Sequence, residues 1–380
     1  MTGAARRRTV RATAAAALAL VVAGGAVAGL ALADAGPFAG PSGGSDGGGV
    51  REPAATVVPA TGDLAVHDPA LVVGEEGEPW YVFSTGDLRV GYGAPQVRRS
   101  LDAGLTWEPV GTVWDEETRP RWVYERIPTV SNFWAPAVWE HDGLWYLYWS
   151  ASTFGKNTSV IGLATSPTLD PDDPAYAWTD RGEVWSSGPV DDWNAIDPSL
   201  VEDADGTPWM AFGSFWGGIH LLELAWPDGK PVDPAADPVR LAIRGDAVNS
   251  IEGPQVVAHD GWFHLFVSRD TCCRGVDSTY SIGVGRSREV TGPYVDREGR
   301  RMADGASEDV LLTRGDAIGP GGQSVSGGVL AHHVYDGTRS GAATLGLRVL
   351  AWDDEGWPVA TTAEEQQDDR DEQDDDEGRG

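Results

Sequence analysis

Short apolar runs rich in aromatic residues recur along the chain, and each one follows a turn. Runs of this length that are bounded by Gly, Asp and Pro are typical of β-strands. Four of them begin with tryptophan and occupy residues 80–84, 145–150, 209–214 and 262–268. Two of the preceding turns, His141-Asp142-Gly143 and His259-Asp260-Gly261, contain the Asp-Gly pair that favours a β-hairpin. The pattern therefore predicts many short strands joined by tight turns.

A second pattern precedes each aromatic run and gives the chain a repeat. Asp68-Pro69-Ala70-Leu71 is followed by similar segments that begin at Ala135, Asp197 and Gly253, and by a less regular fifth segment that begins at Gly322. The prolines at positions 69, 136, 198 and 254 are 67, 62 and 56 residues apart. A third apolar segment follows in most copies, at residues 161–164, 219–222, 282–285 and 345–350. Five units that each form a small antiparallel sheet predict an all-β fold, a five-bladed β-propeller, in which radial repetition protects the sheet edges.

The two ends of the chain lack this pattern. Four arginines within the first eleven residues precede an uncharged stretch, and Ala33-Asp34-Ala35 has the form of a cleavage site. This layout predicts a signal peptide over residues 1–35 and a secreted, extracellular protein. The alternative is an uncleaved N-terminal membrane anchor, since about 20 apolar residues can span a bilayer. We expect a flexible linker over residues 36–54, the propeller over residues 55–362 and an acidic, disordered tail over residues 363–380.

The charge of the chain narrows the classes of partner. The 380 residues include 28 Lys and Arg against 58 Asp and Glu, which gives a formal net charge of −30. An acidic surface repels nucleic-acid phosphates and anionic lipid headgroups. We therefore expect no nucleic-acid partner and, after cleavage of the signal peptide, no stable membrane partner.

Carboxylates open the first strand of three repeats. The innermost strands of a propeller converge on a central channel, so the residues that open them lie close together at its mouth. Asp68, Asp197 and Glu252 are the carboxylates in question, and we expect them at equivalent positions of their repeats. A single Asp-Pro pair would more simply mark a turn. Three such carboxylates instead indicate a catalytic centre.

Carboxylates among aromatic residues suit glycoside hydrolysis. One carboxyl must be protonated to assist the leaving group, and another must be ionised to activate water. Close like charges raise each other's pKa, which keeps the acid protonated near neutral pH. Flat aromatic rings stack on the apolar faces of sugars, although most of the 17 tryptophans must pack in the core. The candidate sugar platforms are Trp134, Trp193, Phe215 and Trp216.

The segments around these positions resemble the motifs of glycoside hydrolase family 43. The shared segments are His67-Asp68-Pro69, Asn132-Phe133-Trp134-Ala135-Pro136, residues 194–200, residues 213–218 and Ile251-Glu252-Gly253-Pro254. Residues 272–280 and 319–324 are similar to segments of the endo-α-1,5-L-arabinanases of this family. The resemblance runs in order from about residue 61 to residue 360.

The resemblance implies a five-bladed propeller that hydrolyses internal α-1,5 linkages of arabinan by an inverting mechanism. Carried over to the matching positions, Asp68 is the general base and Glu252 is the general acid. Asp197 then tunes the pKa of the acid and orients it. The implied partner is plant cell-wall arabinan or arabino-oligosaccharides. The residues that we expect at the substrate are Phe133, Trp134, Asn194, Ser214 and Phe215.

His333, in the fifth repeat, resembles a histidine that in these arabinanases points into the channel near a bound metal ion, usually calcium. The resemblance therefore implies calcium as a cofactor with His333 at its site. Taken alone, one histidine on a strand is more often a hydrogen-bonded core residue, and calcium prefers oxygen ligands.

Cys272 and Cys273 are the only two cysteines of the chain. Export permits a disulfide, but adjacent cysteines close a strained ring. A reduced pair and an intermolecular pair therefore remain open as alternatives.

Two other functions compete with the endo-arabinanase interpretation. The first is an exo-acting arabinofuranosidase or β-xylosidase on the same fold. The second is a non-catalytic sugar-binding propeller. The presence of all three carboxylates favours catalysis over binding alone, and a reducing-sugar assay on debranched arabinan separates the two.

Overall fold

The computed structural model describes residues 60–362, which form five β-sheets. The signal peptide predicted over residues 1–35, the linker over 36–54 and the tail over 363–380 lie outside the described residues. Within residues 60–362, no helix has the length and hydrophobicity needed to cross a membrane. The five sheets are the five repeats predicted from the sequence, one sheet to each repeat.

The first two sheets come from residues 61–187. The strands of the first are β1 (Thr61–Gly62), β2 (Ala70–Val72), β3 (Trp80–Ser84), β4 (Gln96–Ser100) and β5 (Thr106–Thr112). The strands of the second are β6 (Trp134–His141), β7 (Leu144–Ala151), β8 (Ser159–Ser166) and β9 (Thr179–Ser187). Sequential strands pair antiparallel, whereas β1 joins the outer edge of the first sheet parallel to β5.

The remaining three sheets repeat this arrangement. The third contains β10 (Ser199–Glu202), β11 (Pro208–Phe212), β12 (Ile219–Ala225), β13 (Lys230–Pro231) and β14 (Val239–Ala242), and both β13 and β14 pair with β12. The fourth contains β15 (Ile251–His259), β16 (Trp262–Arg269), β17 (Ser281–Ser287) and β18 (Glu308–Leu311). The fifth contains β19 (Ala317–Ser326), β20 (Val329–Asp336), β21 (Ala342–Trp352) and β22 (Pro358–Thr361).

Helical structure is confined to connections. The one α-helix of the described residues, α1 (Val123–Arg126), lies between the first and second sheets. Single 3-10 turns occupy Gly91–Gly93, Gly275–Asp277, Met302–Asp304 and Gly337–Arg339.

The innermost strand of each sheet, which is β2, β6, β10, β15 or β19, borders a shared channel of about 390 Å³. Its walls include residues 70–73 of the first sheet, 135–140 of the second, 253–255 of the fourth and 322–326 of the fifth, and the third sheet adds Pro198 and Leu200. A channel lined by the innermost strands of all five sheets is the central channel of a five-bladed β-propeller. The predicted fold class is therefore confirmed, and the sheets are its blades.

The second strand of a blade packs against both neighbouring blades. Along β7, Leu147 and Trp149 belong to the hydrophobic cluster shared with the first blade. Tyr146 and Tyr148, which point to the other face, belong to the cluster shared with the third blade. All four side chains are at least 98% buried. This two-sided burial explains why the second strands read as continuous aromatic runs rather than as alternating ones.

Candidate active site

An unusual backbone conformation recurs in, or just before, the innermost strand of every blade. One residue there has a positive φ, a conformation that is costly for a residue other than glycine. These residues are Asp68 (51°), Ala135 (42°), Asp197 (57°), Gly253 (56°) and Gly322 (58°). Asp68 and Asp197 thus occupy equivalent positions, as predicted. The expectation was wrong for Glu252, which precedes Gly253 and so lies one residue before the equivalent position.

Asp68 is held in an ionised form by its neighbours. Its Oδ2 atom lies 2.8 Å from His67 Nδ1 and accepts a hydrogen bond from the Thr85 hydroxyl at 2.6 Å. Burial alone would raise the pKa of Asp68, but the charge and the hydrogen bond of His67 outweigh burial and hold the pKa well below its usual range. A carboxylate that stays ionised is suited to accept a proton from water.

The second oxygen of Asp68 faces the fifth blade. The Asp68 backbone N–H donates to His333 Nδ1 at 3.2 Å, and the same ring nitrogen lies 3.6 Å from Asp68 Oδ1. A Cβ atom at Gly322 would lie only 2.6 Å from Asp68 Oδ1. Glycine at this position, with its positive φ, therefore leaves room for the carboxylate.

Glu252 is a buried carboxyl that is bound at both oxygens. Its Oε2 accepts a hydrogen bond from the Ser214 hydroxyl at 2.6 Å, and its Oε1 accepts one from the Tyr280 hydroxyl. Burial raises the pKa of Glu252, and these two hydrogen bonds only partly offset the effect. A carboxyl that retains its proton to higher pH is suited to protonate a leaving group.

Asp197 is a buried carboxyl that interacts electrostatically with both of the other carboxyls. Its backbone N–H donates to the Ser150 hydroxyl at 3.0 Å, and its Oδ2 accepts a hydrogen bond from the Gly253 N–H at 3.1 Å. Burial, followed by the negative charges of Glu252 and Asp68, raises the pKa of Asp197 well above its usual value. Asp197 therefore binds the residue next to Glu252 and interacts with its charge.

The structure contradicts two of the residues expected at the substrate. Phe133 is fully buried and packs edge-on against Trp114 and Trp149 in the core between the first two blades. Asn194 is 2% exposed, and its side-chain oxygen accepts a hydrogen bond from Ser159 at 2.6 Å. Both side chains therefore support the wall of the site and cannot touch a sugar from where they lie.

The other expected substrate residues either lie nearer the surface or form a hydrogen bond with Glu252. Ser214 is also buried, but it binds Glu252 directly. Trp134 is half-buried at the start of β6, and its indole N–H donates to Asn132. Phe215 is half-buried, and Trp216 beside it is 38% exposed. Trp134, Phe215 and Trp216 therefore have the exposure that a sugar platform requires.

His333 is fully buried beneath Asp68, where one of its nitrogens is unused. Its Nε2 atom has no hydrogen-bond partner among residues 60–362. His67, Asp68 and His333 bring ligand atoms within 4.8 Å of one another, but both ring nitrogens of His67 are already hydrogen-bonded. His333 Nε2 is therefore the atom of this cluster that fits a cation with water as its other ligands.

Cys272 and Cys273 form a disulfide with each other, which decides between the alternatives left open above. Cys273 is exposed, and its backbone N–H donates to the Tyr335 hydroxyl at 2.8 Å. The disulfide therefore lies at the edge of the site, one hydrogen bond from a residue that contacts His67.

Four contributors to the site were missed as candidates in the sequence. His67 and Thr85 bind the base, Tyr280 binds the acid, and Tyr335 binds His67. A signal existed for Tyr335, because residues two apart on a strand share a face and His333 already marked that face. Thr85 directly follows the first aromatic run, and nothing in the sequence links it to Asp68.

The match to a family covers most of the described chain. The sequence profile of glycosyl hydrolases family 43 matches residues 91–358. The chain belongs to this family. It is a glycoside hydrolase, which agrees with a site that combines a carboxyl of lowered pKa, Asp68, and a carboxyl of raised pKa, Glu252.

Characterised relatives fall into two modes of action. An extracellular endo-α-(1→5)-L-arabinanase of Bacillus subtilis is 38% identical over 295 residues, which cover 77% of this chain and 87% of the relative. An extracellular exo-α-(1→5)-L-arabinofuranosidase of Cellvibrio japonicus is 38% identical over 315 residues, which cover 79% of this chain and 87% of the relative. Both relatives are named for the same α-1,5 linkage.

Solved structures share the fold across the same region. A family 43 endo-arabinanase from Bacillus licheniformis superposes with a TM-score of 0.72 at 38% identity, covering 79% of this chain and 99% of that one. A Cellvibrio cellulosa α-L-arabinanase in complex with arabinohexaose superposes with a TM-score of 0.70 at 36% identity, covering 78% of this chain and 95% of that one.

Proposed function

We propose that this chain is a secreted endo-α-1,5-L-arabinanase that inverts configuration at the cleaved linkage. The observation that carries the proposal is a pair of carboxyls in opposite environments within one site. His67 and Thr85 bind Asp68 and lower its pKa, whereas burial raises the pKa of Glu252. In an inverting hydrolysis, Asp68 takes a proton from the attacking water while Glu252 gives a proton to the leaving oxygen. The extracellular arabinan-degrading relatives support both the substrate and the location.

Asp197 has a supporting role in this mechanism. It accepts the N–H of Gly253, so it fixes the backbone on which Glu252 is carried. Its negative charge, when present, opposes ionisation of Glu252 and so favours the protonated acid. Asp197 therefore orients the acid and tunes its pKa without contacting the attacking water.

The long connection between the first two blades favours endo action over exo action. An exo enzyme closes its site around a chain end, whereas an endo enzyme leaves a groove open on both sides. The connection of residues 113–133 turns outward: Trp122 donates to Asp180, and Arg126 pairs with Glu183, both on the outer strand β9. This segment is therefore drawn to the rim of the second blade and not over the carboxylates.

The mode of action is tested by following viscosity and reducing ends together on linear arabinan. We expect viscosity to fall early, before much reducing sugar appears, with a range of oligosaccharides as first products. Release of arabinose alone from the earliest times, with viscosity falling only in step, would instead support the exo activity for which one relative is named.

We further propose that a calcium ion binds beside His333. The orphaned, buried Nε2 atom of His333 and the nearby acidic groups support a cation there. His333 Nε2 would hold the ion, with water as its remaining ligands, and the ring would then carry its proton on Nδ1, which lies 3.6 Å from Asp68 Oδ1. When bound, calcium would supply positive charge that favours the ionised form of nearby carboxylates.

Chelation tests the metal site without relying on activity. Treatment with EDTA followed by desalting should lower the melting temperature, and added calcium should restore it, because a ligand that binds only the folded state stabilises that state. A His333→Ala variant should contain no calcium by elemental analysis and should not respond to EDTA. Untreated wild-type protein that contains no metal and shows no EDTA response would contradict the proposal.

A further inference from the structure

The disulfide at the edge of the site is joined to the catalytic base by a chain of three hydrogen bonds. The first runs from the Cys273 backbone N–H to the Tyr335 hydroxyl oxygen at 2.8 Å. The second joins the Tyr335 hydroxyl to His67 Nε2 at 3.0 Å. The third joins His67 Nδ1 to Asp68 Oδ2 at 2.8 Å.

The direction of the chain follows from the chemistry of its groups. An ionised carboxylate only accepts hydrogen bonds, so Nδ1 of His67 carries the proton in the contact with Asp68. In the neutral ring, Nε2 accepts a hydrogen bond from the Tyr335 hydroxyl, and in the protonated ring Nε2 donates to the hydroxyl oxygen. The hydroxyl oxygen of Tyr335 in turn accepts the N–H of Cys273. Nδ1 of His67 therefore donates to the base in either protonation state of the ring, and Tyr335 holds the ring at its other nitrogen.

The disulfide fixes the donor at the start of the chain. Cys273 has a φ of 67°, which is unfavourable for a residue with a Cβ atom. The bond between Cys272 and Cys273 closes a small ring that contains the peptide unit between them, so it limits the backbone conformations open to Cys273. Sγ of Cys273 also lies 3.9 Å from His67 Nε2, beside the ring that it helps to place.

The chain of hydrogen bonds determines which oxygen of Asp68 is free to accept a proton. Asp68 Oδ2 already accepts hydrogen bonds from His67 and Thr85, so its lone pairs are engaged. Oδ1 is left to accept the proton of the attacking water. The ring of His67 is further held by stacking on His333, with ring centres 3.8 Å apart. Rotation of His67 would release Oδ2 and remove the difference between the two oxygens.

We propose that the Cys272–Cys273 disulfide, Tyr335 and His67 act together as positioning residues that orient Asp68 for proton abstraction. This rests on the proposed function of Asp68 as the general base. The role predicts a loss in kcat with little change in KM, because the substrate binds before the orientation of the base matters.

Variants at two points of the hydrogen-bond chain, the disulfide and Tyr335, test the proposal through their combined effect. Cys272→Ala/Cys273→Ala and Tyr335→Phe should each lower kcat about two- to tenfold, the range expected for loss of one hydrogen bond. The triple variant should lose no more than Tyr335→Phe alone, because the disulfide acts through Tyr335. Asp277→Asn, an exposed change in the same loop, is the control and should keep wild-type kcat.

Reduction of the wild-type protein provides the same measurement without a substitution. A dithiol such as dithiothreitol gives two electrons and two protons to the S–S bond, which yields two cysteine thiols and the cyclic disulfide of the reagent. Turnover should fall by the same factor as in the double cysteine variant, and it should return on reoxidation. The double cysteine variant should not respond to the reagent.

Unchanged kcat after complete reduction, or losses that multiply in the triple variant, would overturn the proposal. A wild-type protein that does not cleave arabinan would instead count against the proposed function. In that case, nitrogen-15 NMR of labelled histidine still tests the chain. We expect a proton on Nδ1 of His67 in the wild type and a changed Nε2 chemical shift in the Tyr335→Phe variant, which loses the hydrogen bond at that nitrogen, whereas a proton on Nε2 alone in the wild type would refute the chain.

Discussion

Replacing Glu252 by glutamine is expected to lower the turnover of linear arabinan by about 10²- to 10⁴-fold, the usual contribution of a general acid. The amide keeps the shape of the side chain and can still accept a hydrogen bond from Ser214 or Tyr280. It cannot donate a proton that leaves with the sugar oxygen. Binding of arabino-oligosaccharides, measured by calorimetry, should therefore stay close to that of the wild type.

A second substrate separates loss of the acid from general damage. In a nitrophenyl arabino-oligosaccharide, the leaving group is nitrophenolate. This group departs as a stable anion and needs little protonation. Glu252→Gln should retain much more activity on this substrate than on arabinan. Equal losses on both substrates would remove Glu252 from the role of acid.

Replacing Asp68 by asparagine is expected to give a loss of similar size on both substrates, because activation of water is needed whatever the leaving group. Azide needs no base, so its addition should restore turnover and yield a β-arabinosyl azide. Asp205→Asn is the matched control, since Asp205 is exposed in the turn between β10 and β11, away from the channel mouth. Failure of azide to restore any activity, in a variant that still binds substrate, would count against Asp68 as the base.

The blades could be predicted from the sequence because each second strand is buried on both faces. This burial requires continuous aromatic runs, and those runs repeat visibly. The short strands β1 and β13 contain two residues each and carry no such pattern. Their positions depend on pairing with β5 and β12. This pairing cannot be predicted from the residues of β1 and β13 alone.

The carboxylates of the site could also be predicted, but their neighbours could not. The repeat aligned Pro254 with Pro69, and the residue before Pro254 is Gly253, so Glu252 was placed one position out of register. The motif placed Phe133 near the site, yet only the fold shows that its ring points into the core. Tyr280 lies 28 residues from Glu252 in the sequence, and Tyr335 lies 268 residues from His67, so contacts between them appear only in three dimensions.

The mechanism is tested most directly by the stereochemistry of the first product. The enzyme should be mixed with a linear α-1,5-arabino-oligosaccharide, and proton NMR spectra should be recorded from the first minutes, before the sugar ring opens and recloses. With Asp68 activating water on the face opposite the leaving group and Glu252 protonating that group, the new reducing end should appear first as the β-anomer and convert slowly to the equilibrium mixture. Initial appearance of the α-anomer would contradict the inverting mechanism and the roles assigned to both carboxyls.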